Sequence, residues 1–158
     1  MSSTDLGELP NMIGVELRIA QILADRLFSS TKLSMAPGHF TVLSLISLNP
    51  GINQSNLARC MFLDRSSMVP ILDQLQRKQL IERRSLPTDR RAYALHLTTA
   101  GRSAVKRGEK EVSRLEKAIA AEMGSANRNK LLDLIKQFQT ALLALQSDTA
   151  IERAANDR

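Results

Sequence analysis

Between Ile81 and Gly101 runs IERRSLPTDRRAYALHLTTAG, two arms of alternating polarity on either side of a Pro-Thr-Asp turn. Ala92, Ala94 and His96 alternate with Tyr93, Leu95 and Leu97, the period of two that a half-buried strand needs. The stretch predicts a hairpin, and Arg83, Arg84, Arg90 and Arg91 make it basic. A lone hairpin is not stable in water, so what flanks it must supply the core.

Upstream, Ile13, Leu17, Ala20, Ala24 and Leu27 recur at three- and four-residue steps and predict a helix from Met12 to about Leu33. Ile22, Leu23 and Phe28 widen its apolar surface beyond one neighbour's reach. A second helical pattern, PGHFTVLSLISL, opens on Pro37 and closes at Asn49-Pro50-Gly51. In the segment that follows, Asn53 and Asp64 stand where a side-chain oxygen can cap a helix, and Phe62-Leu63 leaves room only for a sharp turn. The helix from Arg65 to Lys78 turns Met68, Ile71, Leu72 and Leu75 inward and leaves Arg65, Ser66, Ser67, Val69 and Gln74 on other faces. Pro70 costs it one backbone hydrogen bond and disfavours helical geometry at Val69, so a slight bend or a start delayed by a turn is expected.

After the hairpin, Thr98 caps a long helix striped by Val105, Val112, Leu115, Ile119 and Met123. Gly124-Ser125 breaks it, a last helix is expected from about Ala126 to Gln146, and the polar tail from Ser147 is expected to fray. The order helix, helix, hairpin, helix is that of a winged helix-turn-helix. The fold class is therefore mainly α with a small β-hairpin wing, an α+β arrangement. Residues 36–98 would form the winged DNA-binding region, and 1–35 with 99–158 a helical dimerisation region. The terminal helices are too apolar to be solvated alone, and a two-fold dimer is the commonest way to bury self-complementary stripes. Packing within one chain as a monomeric bundle is the alternative.

Charge points the same way. Gly51 to Lys110 holds 12 Lys/Arg against 5 Asp/Glu, a net of +7, whereas all other residues hold 10 against 11, a net of −1. Concentrated positive charge on a folded domain attracts polyanions. A single cysteine, Cys60, excludes an intramolecular disulfide and suits a reducing compartment. With no apolar run of membrane-spanning length and no secretory signal, the cytoplasm is the expected location and no membrane partner is expected. No nucleophile elbow, phosphate-cradling glycine loop, zinc-binding His pair or carboxylate dyad is present, so the chain does not read as an enzyme and no cofactor is expected.

These residues resemble the MarR family of bacterial transcription regulators over nearly the whole length. MAPGHFTVLSLI is similar to the family's second helix. INQSNLARCMFLDRSSMVPILDQLQRKQLIERR is similar to its helix-turn-helix, with Leu57-Ala58, Asp64, Ser66, Leu72 and Leu75 at pattern positions. Most specific is Pro87, Asp89, Arg90, Arg91, followed by Leu95, Leu97, Thr98 and Gly101. Gln79 departs from the pattern, standing where the family usually has glycine.

The resemblance implies a homodimer whose recognition helices enter successive major grooves of double-stranded DNA while the wings reach flanking minor grooves. Arg65, Ser66, Ser67 and Gln74 would meet base edges or phosphates, and Arg90 or Arg91 a narrow minor groove. Asp89 would hold Arg91 and stabilise the wing. Arg84, with Arg83, Arg77 and Lys78, would contact the DNA backbone or stay solvated. The family commonly responds to small aromatic acids or related metabolites, which implies a repressor released from a palindromic operator by a small-molecule effector. Arg18, Arg26 and His39 are the candidates for holding it. As core residues, His39 would be a satisfied histidine and Cys60 a small buried one. The rival reading is a winged-helix architectural or protein-interaction module without a dedicated operator.

Overall fold

The computed structural model describes residues 7–31, 35–86 and 89–156, with backbone alone at 86, 89–92 and 148–156. A 3-10 turn at Leu9–Asn11 leads into α1 (Ile13–Ser29). Then come α2 (Pro37–Leu48), α3 (Gln54–Cys60), α4 (Arg65–Arg77), β1 (Ile81–Leu86), β2 (Asp89–Leu97), α5 (Thr99–Met123) and α6 (Ser125–Asn156). Helix, helix, hairpin, helix is thus the observed order. The chain clusters into two compact units that divide between Val112 and Ser113, so α5 contributes its first half to one and its remainder to the other.

The core lies in the first unit. Val42, Leu43 and Ile46 of α2 meet Leu57 and Ala58 of α3, Met68, Leu72 and Leu75 of α4, Ile81, Leu95 and Leu97 of the hairpin, and Ala104 and Val105 of α5. α4 buries Met68, Leu72 and Leu75 of its expected stripe with Ile71 only partly buried, α5 buries Val105 of its own, and the α1 row of Ile13, Leu17, Ala20, Ala24 and Leu27 stays exposed. The hairpin is antiparallel, pairing Ile81 with Leu97, Arg83 with Leu95 and Ser85 with Tyr93. Simple alternation fails at Ala94, which is as buried as Leu95. The reason is a short third edge: Asn53 bridges Ala94, Leu95 donates to the Ile52 carbonyl and Gly51 donates to the Leu95 carbonyl.

Both helices of the helix-turn-helix end in the same device. At the end of α3, Phe62 donates to the Arg59 carbonyl and Leu63 to that of Ala58; at the end of α4, Gln79 donates to Gln76 and Leu80 to Leu75. These are the paired bonds of a Schellman ending, which places its penultimate donor in left-handed conformation. Phe62 has φ +52° and Gln79 φ +55°, so neither position carries the glycine that the geometry favours. Phe62 is 80% exposed. The ending at Gln79 keeps its glycine-type geometry, at a cost. Gln79→Gly is expected to raise stability by about 1 kcal/mol, strain of about 1–2 kcal/mol relieved less the greater chain entropy lost by glycine. A melting temperature up by about 2–4 °C would show it, and an unchanged or lower one would refute it.

Three expectations are corrected. The first helix ends at Ser29 rather than near Leu33, where Ser30 and Thr31 turn their hydroxyls back onto the carbonyls of Leu27 and Phe28. The last helix runs on past Gln146 to Asn156, because nothing in Ser147-Asp148-Thr149-Ala150 breaks a helix as glycine or proline would. Cys60 is exposed rather than buried. At about 100° per residue, the inward face of α3 centres between Leu57, Ala58 and Met61, and Cys60 lies about 110° from that centre.

Candidate nucleic-acid interface

α4 is the element that an interface would be built on. Asp64 caps it: Oδ1 accepts the Ser67 amide at 2.7 Å and the Ser66 hydroxyl at 2.6 Å, and Oδ2 accepts the Ser67 hydroxyl at 2.9 Å. The Ser66 hydroxyl first, then the amide and hydroxyl of Ser67, hold the Asp64 carboxyl at about 2, below its ordinary 3.8. A depressed acid stabilises above its unfolded value and loses that effect only as pH falls through the folded one, so this cap stays intact at any physiological pH. The start of α4 is also fastened from α3, where the Gln54 amide donates to the Arg65 carbonyl at 3.1 Å. With both ties in place the helix begins at Arg65, and no start delayed by Pro70 is seen.

Arg65, Ser66, Ser67 and Gln74 are all exposed, as expected of reading residues. With Met68, Leu72 and Leu75 fixing the inward direction, the face most opposed to the core runs through Ser66, Pro70 and Arg77. Sequence reasoning left Pro70 off this face. Its missing N–H would have bonded the carbonyl of Ser66, on the wet side, where water can satisfy that carbonyl instead. The hydroxyl protons of Ser66 and Ser67 are committed to Asp64, so they offer acceptor lone pairs, suited to the amino groups of adenine or cytosine and not to phosphate oxygens.

The hairpin arginines divide. Arg83 is paired within the chain: Nη2 donates to Asp73 Oδ1 of α4 at 2.6 Å. Arg84, on the other face of β1, pairs with Glu82. It borders a cleft of about 170 Å³ at the hairpin base together with Ser47, Pro50, His96 and Arg102. Asp89, Arg90 and Arg91 lie on the backbone of β2, but their side chains, and Pro87 and Thr88 altogether, fall outside the described residues. The expected Asp89–Arg91 pairing is among what falls there.

The hairpin joins α5 through the Leu-Thr-x-x-Gly motif. Thr98 Oγ1 accepts the Gly101 amide at 3.0 Å and donates to the Gln79 carbonyl at 2.7 Å, while the Thr98 amide donates to the Leu80 carbonyl at 3.1 Å. A Cβ on Gly101 would stand 2.0 Å from that Leu80 oxygen. The end of α4, the foot of the wing and the start of α5 are thereby locked at one point.

The effector candidates stand on two elements, α1 and α2. Arg18 and Arg26 are exposed on α1 and make no ion pair among the described residues. Eight residues apart, they stand about 12 Å from each other along the helix axis, a little over two turns. His39 is half-buried at the start of α2, beside Phe40, whose ring is 6.3 Å from that of Phe28. It is not a satisfied histidine: Nδ1 is buried and finds no hydrogen-bond partner among the described residues. Burial, and then the nearby Lys78 charge, lower its pKa, which keeps the ring neutral near pH 7. Gly108 of α5 went unnoticed in the sequence. Phe40 ring carbons lie 2.3 Å from where its Cβ would be, so only glycine admits the ring.

The model of the MarR family matches residues 35–93, which takes in α2, α3, α4 and most of the hairpin. A putative transcriptional regulatory protein for the hcr operon of Thauera aromatica is 40% identical over 135 residues, covering 84% of this chain and 81% of its own. The chain belongs to the MarR family. Solved structures place this MarR-family regulator beside the transcriptional repressor CouR bound to a 23-mer DNA duplex, with TM-score 0.79 and 33% identity over 87% of this chain and 99% of that one. CouR bound to p-coumaroyl-CoA is similar as well, with TM-score 0.78 and 31% identity over 84% and 95% of the two chains. Among the described residues, no helix of this MarR-family chain is long and apolar enough to cross a membrane.

Proposed function

We propose that this regulator is a homodimeric repressor that grips a palindromic operator with two copies of α4 and its wing, and releases it when an aromatic acid or its coenzyme A thioester binds. The observation that carries the reading is α4 itself, capped by Asp64 and exposing Arg65, Ser66, Ser67 and Gln74 within the stretch from Gly51 to Lys110 that holds the positive excess. Arg65 would read guanine or clamp phosphate through its fork, the serines and Gln74 would meet base edges, and Arg90 and Arg91 would enter a minor groove. Arg84, already tied to Glu82, would contribute a weaker backbone contact. Asp89 would brace Arg91.

Dimerisation is supported by apolar side chains that one chain leaves in solvent. Ile13, Leu17 and Leu23 of α1 and Leu134, Leu142 and Leu145 of α6 are each more than a third exposed. Soluble monomers rarely keep patches of that kind. A second copy related by a two-fold axis would cover them, and would set two reading helices about one helical turn of DNA apart. The helices of 1–35 and 99–158 would then be the dimer part, and 36–98 the reading part.

For the effector, two exposed cations on one helix suit a multiply charged molecule better than a small acid: a coenzyme A thioester carries a pyrophosphate and a ribose phosphate at its nucleotide end. His39 would offer a hydrogen bond to its acyl end once the Nδ1 that is buried here, without a partner among the described residues, is uncovered. The CouR complex with p-coumaroyl-CoA supports the same class. To act, the effector must favour one dimer shape over the other. Footprinting on the DNA beside its own gene should show a two-fold symmetric protected site, lost on adding an aromatic acyl-CoA. A monomer that ignores every duplex from that locus at low ionic strength overturns the proposal.

A further inference from the structure

Ile81, Arg83 and Ser85 alternate along one face of β1. Across the ladder they pair with Leu97, Leu95 and Tyr93. Ile81, Leu95 and Leu97 are buried, so Arg83 stands on the face that the hairpin turns to the core. A charge placed there is costly unless it is paired. Its partner comes from α4, in the 2.6 Å bond to Asp73, with the two side chains 26% and 44% exposed. Past this point the described side chains of the hairpin leave the core. Ser85 and Tyr93 are exposed, and the register shifts between Ser85 and Leu86. Among the described residues, Asp73–Arg83 is the last hydrogen-bonded tie between the hairpin and α4 before the turn.

We infer that Asp73 and Arg83 are positioning residues: they clamp the wing to α4 and so fix the offset between the groove that α4 reads and the neighbouring groove that the wing reaches. The inference rests on the proposed DNA reading, and it gives both residues a role other than touching DNA. The turn begins three residues past Arg83, about 10 Å along the strand. A rotation of about 15° at the clamp therefore displaces the turn by about 2.5 Å, enough to lose a hydrogen bond at its far end. The planar guanidinium holds that Nη2–Oδ1 bond in a set direction, which the freely rotating ammonium of a lysine would not.

The test uses the full-length protein on the operator duplex from its own locus. Asp73→Asn removes the acceptor charge, Arg83→Lys keeps a cation without the fork, and Asp73→Glu keeps the carboxylate. The first two should lose about tenfold in affinity. Hydroxyl-radical protection should fade over the flanking minor grooves while methylation protection of guanines in the central major grooves persists. Asp73→Glu should retain the flanking protection. A merely stabilising ion pair would weaken both sets of protections together as the melting temperature falls. That outcome, or wild-type footprints from both variants, overturns the inference. Should Asp73→Asn fail to fold, Arg83→Lys alone decides by the same footprint. If the wild type protects no duplex, the proposed function fails first, a result visible before any variant is made.

Discussion

Gly101→Ala should cost about 3 kcal/mol or more and lower the melting temperature by roughly 6–12 °C. A Cβ at this position would meet the Leu80 carbonyl oxygen at 2.0 Å and its carbon at 3.0 Å, and both are backbone atoms. No rotamer change relieves that. Either α5 or the end of α4 must withdraw, and the Leu80 oxygen already accepts the amide of Thr98. Overpacking a rigid site costs about 1–3 kcal/mol, and each hydrogen bond broken adds about 1 kcal/mol. Against a typical total of about 5–15 kcal/mol this is a large share. Gly108→Ala is the internal comparison. Its obstruction is the Phe40 ring, a side chain that can turn aside, so a loss of about 1–2 kcal/mol is expected there. Thermal unfolding of both variants checks the ranking. A loss below about 1 kcal/mol for Gly101→Ala would mean that the first turn of α5 does not rest on Leu80.

That glycine also shows what the sequence could and could not tell. Leu-Thr-x-x-Gly was visible as a pattern, and the caps at Asn53, Asp64 and Thr98 were legible because capping is local chemistry, one oxygen and an amide two or three residues on. The geometric reason for Gly101 lies some twenty residues away at Leu80, and for Gly108 at Phe40 in another helix. Sequence spacing carries no trace of such approaches. Pairing across elements was hidden for the same reason. Arg83 and Arg84 are identical neighbours in a list of charges, yet strand alternation sends one to Asp73 and the other to Glu82. Ser66 and Ser67 were rightly placed on an exposed face, while their use of Asp64 changed what they can offer to DNA. Cys60 was misjudged because a seven-residue helix has room for only a narrow inward stripe, and proximity to Leu57 and Met61 in sequence does not put a residue in it.

Arg90→Ala and Arg91→Ala should each weaken operator binding by about 10- to 100-fold and leave the dimer intact, the loss of about 1–3 kcal/mol that follows when a groove-reading arginine is removed. The proposal puts these two residues where the electrostatic potential of a narrow minor groove is most negative. A cation that neutralises phosphate charge also reports itself through salt: the logarithm of affinity falls with the logarithm of salt concentration by about 0.9 per contact. Each substitution should therefore flatten that slope by about one, and the double substitution by about two. The two arginines need not be equal. Asp89, held beside Arg91 in the family pattern, would spend part of that charge, so Arg90→Ala should flatten the slope more. The residual slope would come from Arg65, Arg77 and the other cations near α4, whose net excess survives the change. Affinity measured across a series of salt concentrations, with sedimentation to confirm the dimer, separates the possibilities. If both variants bind with wild-type affinity and slope, the hairpin is not a minor-groove wing in this protein, and the basic excess must meet its partner through α4 alone.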